Sequence, residues 1–262
     1  MRKLKIIIGV ILVLVVSVLI YGYFIEPQRL LNEQVTITSK NHDQAKLKIV
    51  QFSDIHISSK TSEKYLQKIQ KMINKQNPDI IIFTGDLYDN YEKYHDNPKV
   101  IRFLKSLHAK QGKLAVYGNH DSGGGGRYPY STIMEQSDFD LLVNNSYTIE
   151  KDDKKITFYG LDDSLLGNPE WQSTTGDYKI LISHEPELFY QTDADLLLSG
   201  HTHGGQVQLS FLEGKTNLMG GYVRGLYKKD NQYHYIDSGI GMTRMPFRIG
   251  VPPQISTITI RL

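Results

Sequence analysis

The sequence predicts an α/β fold: a two-sheet β-sandwich flanked by helices and preceded by one N-terminal transmembrane helix. Three observations predict it. Between Leu47 and Tyr117, three short apolar runs alternate with two segments of helical periodicity. Beyond residue 150, six more strand candidates follow with few helices among them. At the N-terminus, Ile6 to Ile25 is almost wholly apolar, relieved by Gly9, Ser17 and Gly22.

The N-terminal run comes first in the chain. About 20 apolar residues are enough to cross a bilayer as a helix. Arg2, Lys3 and Lys5 precede it, and no acidic residue occurs before Glu26. Positive charge stays inside, which puts the tip in the cytoplasm and everything after the span outside. A cleaved signal peptide is the competing reading. No A-x-A-like site precedes Glu26-Pro27, and the run is long for a signal core, which favours an uncleaved anchor. The chain contains no cysteine, so a lipoprotein anchor, disulfides, thiolate metal sites and cysteine nucleophiles are all excluded. The expected organisation is a basic tip and anchor over 1–26, a stalk or edge-strand lead-in over 27–45, and a globular domain over 46–262. Beyond the span 27 basic residues face 28 acidic ones, a net charge of −1. No basic stripe is evident, which argues against a nucleic-acid-binding surface.

Leu47 to Phe52 reads as a strand. From Ser62 to Lys75, the residues Tyr65, Leu66, Ile69, Met72 and Ile73 recur at helical spacing, and Asn77-Pro78 stops that helix. Ile80 to Phe83 is a continuous apolar run, the pattern of a buried parallel strand. Asn97-Pro98 suggests an N-cap followed by proline in the first turn, with Val100, Ile101, Leu104 and Leu107 as the apolar face. Leu114 to Tyr117 is the third strand, and β-α-β-α-β alternation implies a parallel sheet. The later candidates are Ile156–Tyr159, Ile180–Ser183, Leu196–Ser199, Val207–Leu209, Tyr233–Ile236 and Ile255–Ile260. They predict a second sheet packed on the first.

Five polar motifs each fall just after an apolar run: Asp54-Ile-His56, Gly85-Asp86-Leu-Tyr-Asp89, Gly118-Asn119-His120-Asp121, His184, and Gly200-His201-Thr-His203. Open α/β sheets carry their chemistry in loops at the carboxyl ends of strands. Alone, each motif is bland: a turn glycine, a helix cap, a surface histidine. Together they offer carboxylate, amide and imidazole ligands. Asp54 and His56 are two residues apart, so an extended backbone would point both the same way. Asp86 has two oxygens and can bridge two ions. Asn119, His184, His201 and His203 complete seven ligands for two ions, leaving positions open for water and substrate. Nitrogen and oxygen ligands suit Mn²⁺, Fe²⁺ or Zn²⁺.

The order D-x-H, G-D-x-x-D, G-N-H-D, H, G-H-x-H resembles the calcineurin-like metallophosphoesterase superfamily, over residues of about 46 to 262. Gly200 to Gln206 and the stretch from Gly239 to Ile255, with Pro246 and Pro252-Pro253, resemble its exported or membrane-anchored bacterial branch. The resemblance implies the metallo-dependent phosphatase fold and a hydrolase of phosphomonoesters or phosphodiesters. It implies that Asp54, His56 and His203 hold one divalent ion, that Asn119, His184 and His201 hold the other, and that Asp86 bridges. It further implies attack by a hydroxide between the ions. His120 would stabilise charge or protonate the leaving oxygen, and Asp121 would orient His120. Imidazole suits this because it titrates near neutrality.

Substrate identity is not in the motifs. Tethering to the cell membrane, with the catalytic domain extracytoplasmic, favours a lipid-linked or cell-envelope phosphate. A soluble phosphodiester or nucleotide is the alternative, and a non-catalytic metal-binding scaffold is a further one. A scaffold would be expected to have lost a ligand or His120, and none is missing. No H-E-x-x-H occurs, which removes a zinc peptidase. Gly123 to Gly126 could serve as a plain linker or as a substrate-facing loop with Arg127 as a phosphate contact. Arg224, Arg244 and Arg248 are expected on the solvated surface, with anion binding as the sharper reading. Asp89 is expected to accept hydrogen bonds rather than bind metal, and Asp162 and Asp163 to shape a turn. Met242 to Val251 is either core or a lipid-facing lip.

Overall fold

The computed structural model describes residues 2–39, 45–187, 192–208, 222–243 and 245–262. An apolar helix, α1 (Arg2–Ile20), leads in with none of its residues buried against the rest of the chain. It widens into a π-helical turn over Tyr21–Ile25 and tightens over Glu26–Gln28. The described strands, in chain order, are β1 (Leu31–Thr38), β2 (Lys46–Phe52), β3 (Ile80–Phe83), β4 (Gly112–Ala115), β5 (Asp140–Leu141), β6 (Asn145–Lys151), β7 (Lys154–Gly160), β8 (Tyr178–Ile182), β9 (Leu196–Ser199), β10 (Gly225–Lys229), β11 (Gln232–Ile236) and β12 (Gln254–Arg261). They form two six-stranded sheets, ordered β1-β12-β2-β3-β4-β5 and β10-β11-β9-β8-β7-β6.

The unbroken apolar run at Ile80–Phe83 has a direct cause. Successive strand residues point to opposite faces, and here both faces are buried. Ile80 and Ile82 join Leu47, Ile49, Leu114, Ile180 and Leu198 between the sheets. Ile81 and Phe83 join Phe52 beneath three helices: α2 (Glu63–Lys75), α3 (Asn97–Lys105) and, after the short α4 (Asn119–Ser122), α5 (Arg127–Gln136). Each fully buried isoleucine contributes about 1.5–3 kcal/mol through its removal from water. Strands β2, β3 and β4 run parallel, as do β7, β8 and β9, so their carboxyl ends gather at one edge of the sandwich. Gln51 ties the two sheets there: its side-chain amide donates to Ser199 O at 2.9 Å and to Thr84 Oγ1 at 3.2 Å.

Ser62 caps α2 by accepting Tyr65 N–H at 3.2 Å. The cap of α3 is Asp96, one residue before the expected Asn97, and it accepts Lys99 N–H at 3.2 Å. Residues 31–38 of the lead-in are the edge strand of the first sheet, paired in parallel with β12. Helix α5 has no counterpart in the expectations. Its glycine run and Pro129 read as loop, yet Pro129 lies in the first turn, where a missing N–H costs nothing. The expected strand at Val207–Leu209 is reduced to one bridge, Val207 to Ile249, and Leu209 lies outside the described residues. The expectation of no basic stripe is also corrected. Lys64, Lys68, Lys71 and Lys75 are all exposed and, at helical spacing, share one face of α2.

Candidate metal centre

The five motifs leave the carboxyl ends of β2, β3, β4, β8 and β9 and converge. Four of the loops are stitched in two pairs by backbone bonds: Asp54 N–H to Gly85 O at 2.9 Å and His56 N–H to Asp86 O at 3.2 Å, and Gly200 N–H to His184 O at 2.9 Å. Asp54 and His56 do not converge through extended backbone, as the two-residue spacing suggested. Both are left-handed, with φ of 51° and 47°, and so are Asp86, His201 and His203 at 60°, 68° and 52°. Such residues cost of order 1–3 kcal/mol each and collect at functional sites. Close packing fixes them. A Cβ on Gly239 would come within 2.7 Å of Asp54 Cβ, and one on Gly200 would strike Ser53 Oγ.

Two ligand clusters result. In one, His56 Nε2 lies 3.1 Å from His203 Nε2, and Asp54 Oδ1 lies 3.8 Å from His56 Nε2 and 3.5 Å from His203 Nε2. In the other, Asn119 Oδ1 lies 3.2 Å from His184 Nε2 and 3.1 Å from His201 Nδ1, and those two nitrogens are 3.2 Å apart. Asp86 Oδ2 stands between the clusters, 3.4 Å from His56 Nε2 and 3.3 Å from His184 Nε2. The tautomer of His184 is set by its surroundings. Its Nδ1–H donates to Thr84 O at 2.6 Å, so its Nε2 lone pair faces Asp86.

The residues fit two cations. Asp54 Oδ1 and His56 Nδ1 are buried without a hydrogen-bond partner, and the Nε2 atoms of His56 and His203 face each other at 3.1 Å beside the Asp54 carboxylate. Asp54, His56 and His203 can hold one ion, and so can Asp54, Asp86 and His184. Burial works against the Asp54 charge, but His203, His56 and His184 outweigh it and hold the carboxyl well below its usual range. Burial likewise opposes the Asp86 charge, and His184 and His56 pull that group down too. Burial pushes His203 down to about 3, leaving a neutral imidazole able to bind metal.

The chemistry around His120 differs from expectation. Its ring Nδ1–H donates to the backbone carbonyl of Asp89 at 2.5 Å, which leaves Nε2 uncommitted, and the residue lines a cleft of about 440 Å³ with Asp86, Asn119, His201 and His203. Asp121 does not orient it. The buried Asp121 carboxylate accepts N–H bonds from Asp86 at 2.7 Å, Leu87 at 2.9 Å and Gly118 at 3.0 Å. It therefore shapes the loop that carries Asp86 and caps α4. Burial and the Asp86 charge push its carboxyl up to about 7 against those three donors.

Other polar residues are also placed. Asp89 approaches His56 Nδ1 only to 3.8 Å with its side chain, so its contribution is its carbonyl. Arg127 is not a free phosphate contact. It forms a two-pronged ion pair with Asp162 at 2.8 and 2.9 Å and stacks 4.4 Å over Tyr117. Asp162 and Asp163 accept backbone N–H bonds from Asn168, Leu165 and Leu166, the turn role expected of them. Arg248 is not on the surface but fully buried, with its guanidinium spread over backbone carbonyls. Arg224 donates to Gly250 O at 3.4 Å, and Arg244 lies outside the described residues. The contributions of Thr84, Asp89 and the Ser238–Gly241 turn come largely through backbone atoms, which no residue pattern announces.

Chelation offers a direct check. Each ion present at about 100 times its dissociation constant contributes about 2.7 kcal/mol, or about 5–10 °C in Tm for a chain of this size. Melting curves with and without EDTA should differ by at least that much. Identical curves would mean that these clusters hold no ion.

The family model for calcineurin-like phosphoesterases matches residues 47–205. The chain is 38% identical over 261 residues to the metallophosphoesterase YkuE of Bacillus subtilis, covering 92% of this chain and 90% of that one. It is 29% identical over 265 residues to a metallophosphoesterase of Aquifex aeolicus, covering 94% and 98%. It is 26% identical over 274 residues to the UDP-2,3-diacylglucosamine pyrophosphatase LpxG of Chlamydia trachomatis, covering 80% and 82%.

Proposed function

The chain belongs to the calcineurin-like phosphoesterase family and is a hydrolase. From that premise we propose that it cleaves a phosphomonoester or phosphodiester on a lipid-linked or cell-envelope molecule, from a single-pass anchor with the catalytic domain outside the cell membrane. Asp54, His56 and His203 would hold one divalent ion and Asn119, His184 and His201 a second, with Asp86 shared. When bound, such an ion pair lowers the pKa of a water and neutralises charge on phosphate oxygens. His120 lines the cleft with Nδ1 tied to Asp89 O, so its Nε2 is the atom that would hold or deliver a proton at the leaving oxygen. Asp121 holds the Asp86 loop rather than joining the chemistry.

One observation carries the substrate class. The cleft at the histidines shares Thr243 and Met245 with a second cavity of about 670 Å³, whose lining includes Tyr23 and Phe24 as well as the polar run Ser58 to Ser62. These two aromatics directly follow the apolar helix and are exposed, the position of an interfacial belt. Ile55, Tyr65 and Met242 line the same cavity, as does His56. A phosphate at the histidines could thus keep its apolar portion at the bilayer surface. The chlamydial relative, by its name, acts on a diacylated sugar nucleotide, which supports the same reading. A soluble phosphodiester would leave the Tyr23 and Phe24 side of this cavity without a role.

The test uses the full chain in nanodiscs, with several divalent metals. Hydrolysis, followed as release of the alcohol or of the phosphorylated product, is measured for an acylated phosphoester in the bilayer and for the same headgroup without its chains. The acylated substrate should show kcat/KM higher by at least about tenfold, equivalent to 1.4 kcal/mol. Equal values would remove the lipid-linked reading and leave a soluble phosphodiester. No turnover of either, or of an aryl phosphate, with any metal would argue against the proposed site.

A further inference from the structure

The end of the N-terminal apolar helix touches the loop that builds one side of the metal centre. In a continuing α-helix the carbonyl of Gly22 would accept the N–H of Glu26. Here Glu26 N–H goes to Tyr21 O instead, one residue further back, in the π-helical turn. The Gly22 carbonyl is released and takes the N–H of Arg248 at 3.0 Å. Single π-turns of this kind concentrate at functional sites. Glycine is needed for the approach: a Cβ there would come within 2.8 Å of Ile249 Cγ1 and 3.0 Å of Arg248 O. Four residues on, the Glu26 carboxylate, only 2% exposed, accepts Gly250 N–H at 3.0 Å. The helix end therefore grips the segment Arg248–Gly250 at both sides.

Arg248 passes that grip to the ligands. Its guanidinium donates to Ser238 O at 3.0 and 3.1 Å, to Gly239 O at 3.1 Å and to Val251 O at 3.2 Å, and it also reaches Gly241 O. None of the described carboxylates pairs with it within ion-pair distance, so the buried charge is carried by these carbonyl dipoles. The turn it holds lies against Asp54: Ile240 N–H donates to Ser53 O at 3.0 Å and Gly241 N–H to Asp54 O at 2.6 Å. Arg248 Nη2 also packs 3.4 Å from the Nδ1 edge of His203.

We propose that the Gly22–Glu26 turn is a working part of the metal centre, positioning Asp54 and His203 through Arg248 and the Ser238–Gly241 turn. Arg248 is on this reading a positioning residue. The proposal rests on the metal assignment above but not on the substrate. It predicts that weakening the turn loosens chiefly the ion held by Asp54, His56 and His203, because the cluster of Asn119, His184 and His201 meets this chain of contacts only where the His201 N–H donates to Asp54 Oδ2 at 3.1 Å.

The experiment uses full-length protein in nanodiscs, loaded with metal and dialysed against a weak chelator. Metal per chain is followed by mass spectrometry, and folding by thermal melting. Glu26→Ala and Gly22→Leu should speed the loss of one ion by at least about tenfold, the range for partners that support a ligand. Occupancy should then pause near one ion per chain. Glu26→Gln, which still offers an oxygen to Gly250 N–H, should recover most of the wild-type retention. Leu12→Ala, on the exposed face of the same helix, should lose metal at the wild-type rate. If Gly22→Leu does not fold, the Glu26 pair decides. Two ions in the wild type with unchanged loss in Glu26→Ala would overturn the coupling alone, as would parallel loss of both ions. A wild type that binds none would overturn the metal assignment and this proposal with it.

Discussion

Asp86→Asn is expected to empty both halves of the centre, weakening each ion by more than about 100-fold, the upper end for residues that only support a ligand. The Asp86 side chain stands between the two clusters, with Oδ2 3.4 Å from His56 Nε2 and 3.3 Å from His184 Nε2. Its carboxyl is held below the usual range by those imidazoles, so at neutral pH it supplies a full negative charge. The amide keeps the size of the side chain and an oxygen for His120 N–H, which Asp86 Oδ1 now accepts at 2.8 Å. What it removes is the charge and one of two ligand oxygens. Metal content after gel filtration is the readout, with His201→Ala as comparison. His201 belongs to one cluster, so its loss should cost one ion. If Asp86→Asn retains one ion at wild-type affinity, Asp86 does not bridge.

Much of this arrangement was legible in the sequence because it depends on periodicity and side-chain identity. The runs at Ile80–Phe83 and Leu196–Ser199 are buried on both faces, and such strands announce themselves as unbroken apolar stretches. The motifs were placed because each follows such a run. Helix α5 escaped because its glycines and proline are turn residues by composition, while Tyr130, Ile133 and Met134 bury at helical spacing behind them. Strands β6 and β10 escaped because their patterns are largely exposed and carry little apolar signal.

The site residues divide in the same way. The seven side chains expected as ligands are brought together by the fold. Those whose effect runs through backbone were misread. Asp121 was taken as a partner of His120 because it follows it in sequence. Three amides from two loops claim it instead, since a helix N-terminus offers N–H groups that a nearby carboxylate satisfies. Arg248 was taken as a surface residue because arginine is seldom fully buried without a carboxylate. Carbonyls of a tight turn replace that carboxylate, and only the folded chain brings them together.

His120→Ala should leave both ions in place and reduce kcat by roughly 10²–10⁴, the range for loss of a positioned acid or base. The ring is outside both clusters of ligands, edge-on to His56 with centroids 4.6 Å apart, so its removal takes no ligand from either. Its Nδ1–H is committed to Asp89 O, and only Nε2 is available to substrate. A proton delivered there to a leaving oxygen matters more as that oxygen becomes more basic. The loss should therefore be larger for an alkyl phosphoester than for an aryl ester whose leaving group departs without help. Measuring kcat for such a pair, with metal per chain determined on the same samples, separates the possibilities. Equal losses on both esters would mean that His120 stabilises charge on phosphate without transferring a proton. Loss of an ion would mean that the imidazole is a ligand, and the group His56, Asp89 and His120 would then need to be counted as a metal site in its own right.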